Sequence, residues 1–131
     1  VTTVEVRHVG PAELLGLAAD VRAVYAAAFG RPPWSEPDHT ADTYLVRLRR
    51  DVARPGFTAA AALHADGRLI GFATGWTTPE PFPSDRCYPN ALDSLGDLGA
   101  RELLCGAREI DELAVHPDHL GRGVGAALLE R

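Results

Sequence analysis

The stretch Ile110-Asp-Glu-Leu-Ala-Val115-His-Pro-Asp-His-Leu120-Gly-Arg-Gly-Val-Gly125-Ala-Ala-Leu-Leu129 decides how this chain is read. Together with Arg108 and Glu109, its first residues read as a strand that ends at Val115. Pro117 then forces a turn, and three alternating glycines, Gly121, Gly123 and Gly125, open a helix carrying Val124, Ala127 and Leu128. The start of a helix presents N–H groups with no partner and the positive end of its dipole, which suits an anion. Glycine lets backbone amides come close to a phosphate, and Arg122 can add a guanidinium to such a cradle. A plain tight turn with Arg122 in solvent would use the same residues.

Working outward, Val4, Val6 and His8 alternate with polar residues as a short opening strand. Pro11 and Glu13 mark a helix start, and Leu14, Leu17, Ala18, Val21, Val24, Tyr25 and Ala28 recur at helical spacing until Gly30 and Pro32-Pro33. A second helix is predicted from near Thr40, with Tyr44, Leu45, Leu48 and Val52 on one face, ending at Arg54-Pro55-Gly56. The apolar runs 57–64 and 68–76 flank Ala65-Asp66-Gly67, a hairpin signal. An excursion over 77–107 opens with Pro79, Pro81 and Pro83, and Leu92, Leu95 and Leu98 hint at a short helix inside it. Strands alternating with helices in this way predict an α/β fold.

At 131 residues the chain is sized for a single domain. A net charge of −5 gives no basic face for nucleic acid, and no apolar run is long enough to span a membrane. All 13 positive charges are Arg, which excludes a Gly-Lys-Ser/Thr phosphate loop and Schiff-base chemistry on lysine. Cys87 and Cys105 lack metal-ligand spacing and the five His form no HExxH pattern, so no metal is expected. Two cysteines make a poor disulfide framework and fit reduced thiols in the cytoplasm.

Leu113-Ala-Val115-His-Pro117 followed by Leu120-Gly-Arg-Gly123-Val-Gly125 resembles the signature of the GNAT superfamily of acyl-CoA-dependent N-acyltransferases, a Leu-x-Val-x-Pro strand and a Gln/Arg-x-x-Gly-x-Gly/Ala loop. The order of the preceding elements is similar too. Leu120 departs from the pattern, standing where the family usually has Gln or Arg. Gly121-x-Gly123-x-x-Ala126 also fits a dinucleotide fingerprint, but that motif wants its first Gly directly after the strand and an acid about 20 residues later.

The resemblance implies a mixed central sheet flanked by helices. It also implies acetyl-CoA as co-substrate, attacked directly by the amine of a small molecule or peptide. Leu113, Ala114, Val115, Leu120, Gly121, Arg122, Gly123, Val124, Gly125 and Ala126 would then bind the cofactor. Backbone groups of Leu113 and Val115 would bond its pantetheine arm and acyl carbonyl. An alkylammonium of pKa about 10 holds back roughly 4–5 kcal/mol of reactivity at pH 7, so a base is wanted. The resemblance puts the base at positions matching Glu109 or Asp111, which simple alternation places on one face with Leu113 and Val115; a bulge, which family strands here can contain, would let Glu112 in. The same resemblance points to Phe29, Trp34 and Trp76 for the acceptor, with the excursion as a lid. Acids of the excursion, Glu80, Asp85, Asp93, Asp97 and Glu102 against Arg86 and Arg101, would make a rim attractive to a cation.

Family members continue beyond the cradle helix with another strand, a helix and a hairpin, and that segment commonly supplies a Tyr as general acid. The chain is therefore expected to be the N-terminal part of a longer protein, or to be completed by a second copy or another chain. A CoA-binding module without catalysis is the alternative reading.

Overall fold

Four consecutive alanines form the middle of a strand, although alanine has little intrinsic preference for one. What holds them there is burial on both faces. Ala59 and Ala61 belong to one core, and Ala60 and Ala62 to another on the opposite side of the sheet. A computed structural model describes residues 4–79, 88–103 and 105–130. In it β1 (Val4–Val9), β2 (Thr58–His64), β3 (Leu69–Thr77) and β4 (Arg108–Val115) form a sheet of order β1-β2-β3-β4, antiparallel at every described pairing. The α/β architecture is as predicted, but no parallel, and so no mixed, pairing occurs among the described strands.

On one face lie α1 (Pro11–Gly16), α2 (Ala18–Phe29) and α3 (His39–Asp51). They bury Leu14, Val21, Val24, Tyr25, Tyr44 and Leu48 against Phe72 and Ala114. The other face is covered by α5 (Val124–Leu129), whose Val124 and Leu128 pack on Ala60, Ala62, Ile70 and Ala73, with Leu113 and Val115 against them. The single helix predicted over 11–28 is two. Leu17 leaves helical geometry at φ −99° and ψ 19°, and the next helix restarts when Val21 N–H donates to Leu17 O at 2.9 Å. The excursion holds a longer helix than its leucines suggested, α4 (Tyr88–Leu103), interrupted where Gly96 takes φ 74°. Glu80, Asp85, Arg86 and Cys87 and the side chains of Asp97, Arg101 and Glu102 lie outside the described residues; of the acids expected to form a rim, Asp93 is described and is exposed on α4.

Pairing of β3 with β4 slips once. Thr74 faces Glu112 and Gly75 faces Ile110, which leaves Asp111 as an extra residue in β4. Such a bulge puts two neighbouring side chains on the same side of a strand. Gly75 makes room for it, since a Cβ there would sit 2.3 Å from the Glu109 carbonyl oxygen. Backbone cannot yield as a flexible side chain can. Gly75→Ala is therefore expected to destabilise the fold by roughly 1–3 kcal/mol, read as a lower denaturant midpoint, and an unchanged midpoint would count against the close approach.

Candidate active site

Beyond the bulge, β4 returns to regular alternation and divides its labour. His116 N–H donates to Ile70 O at 2.8 Å on the β3 side. Since a ladder's hydrogen-bonding direction alternates by residue, the N–H and C=O groups of Val115 and Leu113 point to the other side. β4 is the edge strand of the described sheet, so these groups face a side with no described strand.

The chain then makes a short 3-10 turn at Pro117–His119 and runs through Gly121 and Gly123, both at φ 77°, into α5. L-residues reach that left-handed region only at a cost. The first described hydrogen bond of α5 runs from Ala127 N–H to Gly123 O, 3.0 Å. The amides of Val124, Gly125 and Ala126 precede it and, being in the first turn, have no acceptor within the helix. A cavity of about 500 Å³ opens in front of them. Leu113, Ala114 and Val115 line one wall, and Leu120, Gly121, Gly123, Val124 and Gly125 line another. Arg122 and Ala126 are not among its lining residues. The third wall is the segment after α2, from Phe29 through Pro32, Pro33 and Trp34.

Two of the three aromatics expected for an acceptor thus share the cavity of the cofactor candidates. Trp34 is 57% exposed, and its ring meets Phe29 edge-on at 5.4 Å. Trp76 does not join them. It is 1% exposed, with the Arg54 guanidinium 4.6 Å above its ring. Buried in this way, it is not among the residues that line the cavity with Phe29 and Trp34. Its position is explained by alternation in β3, where it follows the buried Phe72 and Thr74 on the helix-covered face.

From the cavity, rings lead inward. Phe29 lies 4.7 Å from Tyr25, Tyr25 stacks on Tyr44 at 4.6 Å, and Tyr44 reaches Phe72 at 5.9 Å. Arg47, on the same face of α3 as Tyr44, holds its guanidinium 5.0 Å from the Tyr44 ring. It pairs with both bulge carboxylates, Nη2 to Glu112 Oε2 at 3.3 Å and Nη1 to Asp111 Oδ1 at 3.5 Å. The bulge therefore overturns the simple alternation. Asp111 and Glu112 share the helix-covered face, while Leu113 and Val115 pack toward α5. Glu109 is apart from this pair, its Oε2 accepting from Thr78 Oγ1 at 2.6 Å.

Burial pushes the Glu112 carboxyl up to about 7, the charge of Asp111 adding to it and Arg47 opposing. Tyr25 is raised to about 12, by burial first and then by Glu112 and Glu36, toward which its hydroxyl points at 3.4 Å. Burial, Arg122 and His116 hold the imidazole of His119, another cavity residue, below its ordinary value. Sequence reasoning singled out none of Tyr25, Glu36, Tyr44, Arg47 and His119 as site residues. Tyr25 and Tyr44 were legible only as helix-face core positions. The one signal for Arg47 was its place three residues after Tyr44, one helical turn on.

The Acetyltransferase (GNAT) family profile matches residues 20–131. The chain belongs to that family. No match is found among curated protein sequences. Among solved structures, the chain is similar to an aminoglycoside acetyltransferase from an uncultured soil metagenomic sample. Identity is 20% and the TM-score 0.58, over 98% of this chain and 68% of that one. It is also similar to aminoglycoside N-acetyltransferase AAC(6')-Iy in complex with CoA, at 15% identity and TM-score 0.57, over 99% of this chain and 66% of that one. A ribosomal-protein-alanine N-acetyltransferase from Brucella melitensis matches at 23% identity and TM-score 0.52, over 98% and 67%. The chain spans about two thirds of the length of these structures, and the likeness shows a shared fold. Among the described residues no cluster of His, Cys, Asp and Glu could hold a metal, and no helix is long and apolar enough to cross a membrane.

A carboxyl whose folded value lies above its unfolded 4.5 binds extra protons in the folded state between about pH 4.5 and 7. Its contribution to stability is present in full below that window and lost as pH rises through it. Glu112→Gln should remove this slope, so that the variant gains on the parent protein between pH 5 and pH 8. The gain is on the order of 2–3 kcal/mol for a side chain only 17% exposed. Parallel denaturant titrations at the two pH values would show it, and an identical pH dependence in both proteins would refute it.

Proposed function

We propose that this protein transfers an acetyl group from acetyl-CoA to a primary amine by direct attack in a ternary complex, with Glu112 as the base. What carries this reading is the geometry of β4. Glu112, its carboxyl pushed up to about 7 by burial and by Asp111, directly precedes the Leu113–Val115 stretch that lines the cavity, although Glu112 itself is not among the lining residues. A base serves best when its pKa lies near the working pH. Glu109 and Asp111, the favoured candidates on sequence, become supporting acids, one bonded to Thr78 and the other to Arg47.

The amides of Val124, Gly125 and Ala126, with Gly121 and Gly123 clearing the approach, suit the pyrophosphate of CoA. Arg122 would meet it from the solvent side, and Leu120 would contribute its main chain. The outward groups of Leu113 and Val115 suit the amide-rich pantetheine arm. One outward N–H aimed at the thioester oxygen would stabilise the charge that develops as the amine adds. Glu112 takes the proton lost by the attacking nitrogen, directly or through a water. The C–N bond forms, the C–S bond breaks, and the leaving thiolate takes a proton.

Phe29 and Trp34 would flank the acceptor in a cavity that Arg31 also lines. An acceptor of the aminoglycoside type is suggested by two of the similar structures. The unpaired thiol of Cys105 is in keeping with a cytoplasmic setting. A titrating base also favours the enzyme over a module that only holds CoA.

Two measurements test the reading on the full-length gene product. CoA at ten times its Kd should stabilise the protein by about 1.4 kcal/mol, seen as a raised melting temperature. With acetyl-CoA and a panel of primary amines, Glu112→Gln should lower kcat about 100-fold at pH 7, with KM for acetyl-CoA little changed. Full activity in the variant would remove Glu112 from the chemistry.

A further inference from the structure

Asp111 and Glu112 stand next to one another in the chain, share a face through the bulge, and are both largely out of water, with side chains 5% and 17% exposed. Two such carboxylates resist being charged together. The cation between them is Arg47, which comes from a different element, α3, and lies 65 positions from Glu112 in sequence. Its stem is fixed by the helix and its guanidinium rests beside the Tyr44 ring. Its two terminal nitrogens are divided, Nη1 toward Asp111 and Nη2 toward Glu112 Oε2. The hydrogen bond from Nη2 goes to Glu112 Oε2. We propose that Arg47 is a positioning residue for acetyl transfer: bridging the two bulge carboxylates, it keeps them in one place and sets the direction from which the Glu112 carboxylate meets the incoming amine. The inference rests on Glu112 being the base.

Lysine could not do the same. A guanidinium presents a planar fork that meets two acceptors at once, whereas an ammonium is a single point of charge. The groups facing Glu112 are Asp111 on its own strand, Arg47 and Tyr44 on α3, Tyr25 on α2, and Glu36 in the segment between those helices. Among these described groups Arg47 is the one that favours the charged form of Glu112. Its removal must therefore move the Glu112 titration upward.

The test uses carboxyl 13C NMR titration of Glu112 beside the pH profile of kcat/KM, in the parent protein, Arg47→Gln and Arg47→Lys. In Arg47→Gln the Glu112 midpoint should rise by about 1–3 pH units. The rising limb of kcat/KM should move with it, so that activity lost at pH 7 returns at high pH. Arg47→Lys should shift both by less, and if Arg47→Gln does not fold the lysine variant carries the same comparison. A merely structural role would lower activity evenly across pH and leave the titration where it was, which would overturn the proposal. The two readings fail separately. An unmoved carboxyl titration sinks the role of Arg47 whatever the activity, whereas a moved titration with full activity in Glu112→Gln sinks Glu112 as the base.

Discussion

One extra residue in β4 organises the site. With Asp111 unpaired opposite the step from Thr74 to Gly75, the strand changes phase between Ile110 and Glu112. Without the bulge, period-two alternation would send Glu112 and Asp111 to opposite faces. With it, both acids meet Arg47 under the helices while Leu113 and Val115 pack toward α5. The main chain of the same two residues is turned to the outer edge. On the proposed reading, chemistry and cofactor binding fall to adjacent residues of a single strand, and Gly75 is the residue that gives the carbonyl of Glu109 room to sit there.

The electrostatics follow from this geometry. Burying an acid beside another acid costs energy that a shared guanidinium offsets only in part, and the consequence is a carboxyl poised near 7. Stability is given up where a base is gained. Aromatic packing limits the loss, because the row from Phe29 through Tyr25 and Tyr44 to Phe72 ties α2, α3 and β3 together directly behind the carboxylates. The same row joins the cavity wall to the interior, so the acceptor side and the base are held by one rigid unit.

Much of the fold was legible because its signals are local. Asp66-Gly67 between apolar runs gave the hairpin, and Pro11 and Gly30 framed the first helical region within a residue or so of its limits. The glycine turn at Gly121 and Gly123 leading into α5 was legible because glycine spacing is written in the sequence itself. What escaped was non-local. The break at Leu17 and the length of α4 lie outside what a helical pattern encodes. A bulge is a property of two paired strands, so the face of Glu112 could not be read from β4 alone. Trp76, expected on the acceptor side, is buried, with the guanidinium of Arg54, just past α3, over its ring. Arg47 reaches its partners across the core, which no spacing rule anticipates.

The central claim is that the outer edge of β4 and the amides opening α5 act together as the seat of CoA. The most direct measurement is an amide 15N–1H NMR titration of the full-length protein with CoA. The account predicts that the largest shifts fall on Leu113, Val115 and residues 121–126, together with Trp34 across the cavity. Saturable shifts confined to another surface, such as the smaller cavity around Arg68 and His116, with these amides unmoved, would contradict it.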